Sequence, residues 1–135
     1  AGMLEQTWTK ETTLDLPVLN PMCPQPSMMV EPVPVKPEKV VTFFLIYYNN
    51  VDYLAQQIDS WNHFSEAAKQ RTQFLIVDDG SALGFRAIDV LTANSAAIAN
   101  IDLQVYEVDQ DLVWNIGGAR NLGFWVAPTE WVFLS

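Results

Sequence analysis

Val40-Val41-Thr42-Phe43-Phe44-Leu45-Ile46-Tyr47-Tyr48-Asn49-Asn50 decides the architecture. Apart from Thr42, the run from Val40 to Ile46 is β-branched, aromatic or aliphatic with no polar alternation, the composition of a strand buried on both faces. It then breaks into a polar loop. A second apolar run, Phe74 to Val77, ends the same way in Asp78-Asp79-Gly80-Ser81. Further on, Trp114-Asn115-Ile116-Gly117-Gly118-Ala119-Arg120-Asn121-Leu122-Gly123 is a glycine-rich opening to a helix. Such strands, each ending in a polar loop and followed by this helix start, predict a parallel α/β sheet with its ligand beyond the carboxyl ends of the strands.

Working outward, strand and helix patterns alternate. Val51 to about His63 is predicted helical, with Leu54, Ile58 and Trp61 on one face and Asn50 or Asp52 as its cap. Gln73 to Val77 is a strand. Leu83 to about Ala97 is a helix with Phe85, Ile88 and Leu91 inward. Leu103 to Val108 is the third strand, Ile116 to Ala127 a helix stopped by Pro128, and Trp131 to Leu134 a fourth buried strand. The predicted fold is a mostly parallel, Rossmann-like sheet with helices on both faces and right-handed crossovers, cut after the fourth strand. The polar end of that strand, where chemistry is expected, would lie beyond Ser135, and the chain reads as a piece of a longer protein.

Residues 1–38 differ in kind. Seven of the eight prolines fall there, and Pro32-Val33-Pro34-Val35-Lys36-Pro37 favours extended backbone. This stretch reads as a tail or linker, packing locally through Leu16, Val18 and Leu19; Pro34 to Pro37 also fits a PxxP spacing. Residues 39–135 are the folded part. At 135 residues and 50% hydrophobic, the chain can bury one core. A net charge of −9 with seven basic residues argues against nucleic acid as a partner and disfavours anionic membrane surfaces. The single cysteine, Cys23, allows no internal disulfide and suggests no nucleophile. No apolar run reaches the ~20 residues of a membrane span. Ala1-Gly2-Met3 lacks a secretion signal, so a cytoplasmic location is expected.

The polar loops supply the candidate site residues. One of Tyr47 and Tyr48 should pack under a helix; Tyr48 is placed on the ligand side, where its ring can stack on a base, and Asn49 can bond base or ribose. Asp78-Asp79-Gly80-Ser81 is no hairpin, since no alternating return strand follows. Gly80 permits a tight turn, Ser81 can cap the next helix, and a carboxylate there can accept from a base N–H. Gly117 and Gly118 let backbone approach a ligand at a helix start, which favours anions. Arg120 can reach a diphosphate or pair with Asp109 or Asp111. The glycines match neither the dinucleotide nor the P-loop fingerprint. Asp109-Gln110-Asp111 has the spacing of a metal-binding D-x-D, but after the wrong strand, and reads as a solvated loop. His63, the sole histidine, reads as a surface or capping residue. The tryptophans read as packing residues, with Trp114 set apart by its place in the candidate loop.

At these residues the chain resembles the family 2 glycosyltransferases, which have the GT-A fold. Tyr48-Asn49, Asp78-Asp79-Gly80-Ser81, Asn115 to Gly123 and Glu130-Trp131-Val132-Phe133-Leu134 follow the family's motifs in order over about residues 39–135. The resemblance implies transfer of a sugar from a nucleotide diphosphate, usually a UDP-sugar, to the hydroxyl of a glycan, lipid or protein acceptor. It implies Tyr48 near the base, Asp79 bonded to it with Asp78 supporting the loop, and Arg120 near the diphosphate or base. Asn49, Gly80, Asn115 and Gly118 complete the expected nucleotide-binding set. A divalent metal, Mg or Mn, and a catalytic base are implied after Ser135. The isolated chain is therefore expected to be inactive. The chain departs from the family's Pro-x-Tyr-Asn, having Ile46-Tyr47-Tyr48-Asn49. Two other readings stand beside it: a non-catalytic nucleotide-binding or interaction module of the same fold, and a nucleotidyltransferase.

Overall fold

The computed structural model describes Gln6–Thr7, residues 31–113 and residues 115–135. The strands are β1 (Gln6–Thr7), β2 (Val41–Tyr47), β3 (Thr72–Asp78), β4 (Leu103–Glu107) and β5 (Trp131–Leu134). The helices are α1 (Val51–Asn62), α2 (Glu66–Arg71), α3 (Ala87–Ala93) and α4 (Ile116–Val126). The strands form one sheet in the order β1-β4-β3-β2-β5, and every pairing is parallel. This is an α/β fold of the expected class, with a fifth strand, β1, inside the proline-rich segment.

Each two-side-buried strand sends alternate residues to opposite layers. Leu45, Tyr47, Phe74 and Ile76 face a core closed by Leu54, Ile58 and Trp61 of α1 and by Leu91 of α3. Phe44, Leu75 and Val77 face a second core closed by Ala119, Leu122 and Val126 of α4. All seven residues of β3 are buried. Gly123 of α4 lies against the Phe44 ring, leaving no room for a Cβ there, so helix and sheet approach closely.

The chain steps from β2 to β3 to β4 in one direction. α4 then returns it across the sheet to β5 on the other side of β2. The order therefore reverses beside β2, the place where such sheets bind ligands.

Several sequence expectations need correction. The helix expected over Leu83 to Ala97 is confined to α3 and followed by a 3-10 turn at Ser95–Ile98. Its start is fixed by the Asp78 carboxylate, which accepts from Ala87 N at 2.7 Å, and Phe85 is left half-exposed. Ser81 does not cap this helix; its hydroxyl accepts from Asn49 N at 2.9 Å. A short helix, α2, capped by Ser65, stands between α1 and β3 where the sequence pattern marks none. β5 is an edge strand rather than a buried one: its only pairing among the described residues is with β2, and Trp131 and Phe133 are exposed.

Residues 31–39 lie along the body instead of hanging from it. Val33 is buried in the second core and its N–H donates to Val126 O. The Tyr106 hydroxyl donates to Glu31 O, and Lys36 pairs with Asp102 at 2.6 Å. Cys23, Leu16, Val18, Leu19 and Trp114 lie outside the described residues.

Candidate functional site

The loops that leave β2, β3 and β4 meet at the start of α4. Alternation along β2 separates the two tyrosines. Tyr47 is buried, its hydroxyl donating to Phe85 O at 2.6 Å, while Tyr48 turns outward and is half-exposed. Asn49 takes a positive φ of 50°, which Asn tolerates better than most residues. Its side-chain oxygen accepts from Ala82 N at 2.8 Å, and its own N–H donates to Ser81 Oγ. Asn49 thus ties the β2 loop to the β3 loop.

Asp78 is fully buried and holds the loop from below. One carboxylate oxygen accepts from Ser81 N at 2.9 Å and the other from Ala87 N. Its neighbour Asp79 is 7% exposed and accepts from Asn115 Nδ2 at 2.7 Å. Burial pushes the Asp79 carboxyl up, the Asn115 hydrogen bond pulls it down, and the charges of Asp78 and Asp111 raise it further, leaving it above the ordinary value. Among the described residues, Asn115 alone donates to it.

Gly80 has φ +83° and sits hard against the loop after β4. A Cβ there would lie 2.5 Å from Gln110 O and 2.9 Å from Asp111 Cα. Gly80 thus admits a neighbouring loop, and only a residue without a side chain fits both the space and the backbone. Gly118 likewise makes room for the Asn115 side chain, which folds back over the helix start, whereas Gly117 faces open space. Arg120 is exposed and makes no ion pair among the described residues, so neither Asp109 nor Asp111 holds it.

A cleft of about 620 Å³ opens between these loops, walled by Tyr48, Tyr53, Asp79, Asp111, Asn115 and Ile116. Tyr48, Asp79 and Asn115 of the expected set therefore line one space. Asn49, Asp78, Gly80 and Gly118 shape it from behind, and Arg120 lies outside its wall. A second concavity, about 480 Å³ between α1 and the Val90 to Ala97 stretch, contains none of the expected residues.

Asp111, read from the sequence as part of a solvated loop or a partner for Arg120, stands instead in the cleft wall. Its carboxylate accepts from the Tyr48 hydroxyl at 2.8 Å, which holds that hydroxyl above its ordinary pKa. Placing β4 beside β3 would have brought Asp111 next to Asp79, but strand order is not written in the loop itself. His63, as expected, ends α1, exposed, with its ring on Asp59. Among the described residues no group of three or more His, Cys, Asp or Glu is placed to hold a metal ion, and no helix is long and apolar enough to cross a membrane.

The parallel sheet, the reversal beside β2 and the loops at its carboxyl end define a Rossmann-like α/β fold. Among solved structures the chain is similar to the crystal structure of S. aureus TarS, with a TM-score of 0.54 and 18% identity. The match covers 71% of this chain and 16% of that one, and at this identity the likeness concerns the fold alone. No family model and no curated protein matches the chain.

Proposed function

We propose that this chain is the donor-binding part of a family 2-like glycosyltransferase, and that the cleft takes the nucleoside of a UDP-sugar. Asp79 carries the reading. It is a nearly buried carboxylate facing a cleft, with Asn115 as its one donor among the described residues. An acceptor-only group in that position is satisfied by an incoming N–H, and the imide of uracil offers one. The Tyr48 ring beside it is a surface for the flat base.

Charge sets the orientation. Two carboxylates, Asp79 and Asp111, line the cleft, and no Lys or Arg does among its described lining residues. A diphosphate would be repelled there while a neutral base would not. In this reading the base lies inward and the diphosphate lies outward, where the helix start and Arg120 can meet it. This chain binds and orients the donor. The counter-charge for the leaving diphosphate, the base that deprotonates the acceptor hydroxyl and the acceptor site are assigned to residues after Ser135. Sugar transfer by the 135 residues alone is accordingly not expected.

The test is calorimetric titration with uridine and uridine diphosphate against the cytidine, adenosine and guanosine counterparts. Preference for the uridine pair, lost by about 1–3 kcal/mol in Asp79→Ala, is the expected result. Equal binding of all four bases, or unchanged uridine affinity in Asp79→Ala, would remove the base from this cleft.

A further inference from the structure

We propose that Asp111 is a positioning residue: its carboxylate clasps the Tyr48 hydroxyl and sets the Tyr48 ring in place as one wall of the nucleoside cleft. The role in binding rests on the nucleoside reading above; the clasp itself does not.

Two independent observations carry it. The first is the bond, Tyr48 Oη to Asp111 Oδ2 at 2.8 Å, which joins loops 63 residues apart in the sequence. Tyr48 is 46% exposed, and a ring so placed on a loop would otherwise sample several rotamers. The second is the contact that delivers Asp111. Gly80 packs so closely on Gln110 and Asp111 that the loop after β4 is pressed against the loop after β3. Asp111 is therefore held by its backbone at the cleft, and Asn49, joined to Ser81 and Ala82, anchors the chain next to Tyr48. Both ends of the clasp are fixed to the same β3 loop. A ring already in its bound orientation loses less freedom when a base stacks on it, which raises affinity without a new contact to the ligand.

The variants are Asp111→Ala, which removes the acceptor, Asp111→Asn, which restores a neutral one, and Tyr48→Phe, which keeps the ring and removes the hydroxyl. Two quantities are read in the full 135-residue chain: titration of the Tyr48 hydroxyl, followed by NMR with tyrosine labelled at the hydroxyl-bearing ring carbon, and the affinity for uridine diphosphate. The charged groups facing that hydroxyl are Asp111 and Asp79. Asp111→Ala should bring the Tyr48 titration down toward the ordinary tyrosine value. Asp111→Ala and Tyr48→Phe should each weaken uridine diphosphate by about three- to tenfold. The double variant should be no weaker than either single one, and Asp111→Asn should recover part of the loss. An unmoved Tyr48 titration overturns the clasp, whatever the affinities do. A lowered titration with unchanged affinity overturns the positioning role. If the unaltered chain does not bind uridine diphosphate while the titration still falls in Asp111→Ala, the clasp stands and the nucleoside reading of the cleft is what fails.

Discussion

Burial raises the Asp79 carboxyl, Asn115 offsets part of that, and the charges of Asp78 and Asp111 add to it. A carboxylate whose folded pKa lies above its unfolded one binds protons more tightly in the native state. Its stability contribution therefore falls as pH rises from the unfolded value, about 4, through the higher folded value. Asp79→Asn should make the chain more stable than the wild type at pH 7. The difference should fade below about pH 4, where both side chains are neutral, as urea melts at the two pH values would show. The same substitution should weaken uridine diphosphate, because a charged acceptor is replaced by an amide. A chain that gains stability and loses affinity at one position is the signature of a binding group rather than a packing group. The place of Asp79 in the cleft wall was legible because its strand ends in an acidic turn. The place of Asp111 was not, since it depends on which strand lies beside which.

Elements meet where small residues permit it, and Gly123 shows how the balance is struck. Alanine would add up to about 1 kcal/mol of helix propensity at that position of α4. Its Cβ, however, would enter the Phe44 ring, and overpacking of this kind costs about 1–3 kcal/mol. The clash should win, so Gly123→Ala should destabilise, while Gly123→Ala combined with Phe44→Leu should recover most of the loss in thermal unfolding. α1 was readable in advance because its apolar stripe, Leu54, Ile58 and Trp61, has helical spacing and Asn50 stands at its start. α3 was set too early because its first turn is selected by a tertiary hydrogen bond from Ala87 N to Asp78. Nothing local to Leu83 or Phe85 marks that choice. The edge position of β5 was hidden for a related reason: an apolar strand reads the same whether it has one neighbour or two.

Across the molecule, residues 31–39 tie α4 to the start of β4. Val33 enters the core under α4, and Lys36 and Lys39 converge on Asp102 beside β4. Burial pushes Asp102 up, but the Lys36 bond and charge, Gln73 and Lys39 together hold it below the ordinary value. For a depressed carboxyl the sign is opposite to that of Asp79. The stabilisation is present above the unfolded pKa and is lost as pH falls below about 4 through the folded value. Asp102→Asn should cost about 1 kcal/mol at pH 7, allowing for solvent screening at the 42% exposed Lys36, and close to nothing at acid extremes. Proline content marked this segment as extended, but nothing in it announced that Val33 would be buried. The parallel layout has a further consequence, for synthesis. β2 leaves the ribosome before its partner on one side, β5, which is made about ninety residues later. Until then one flank of this largely apolar strand stands open, so pairing with a neighbouring nascent chain competes with closure. β2 is thus open to a chaperone on that flank while the chain between it and β5 is being made.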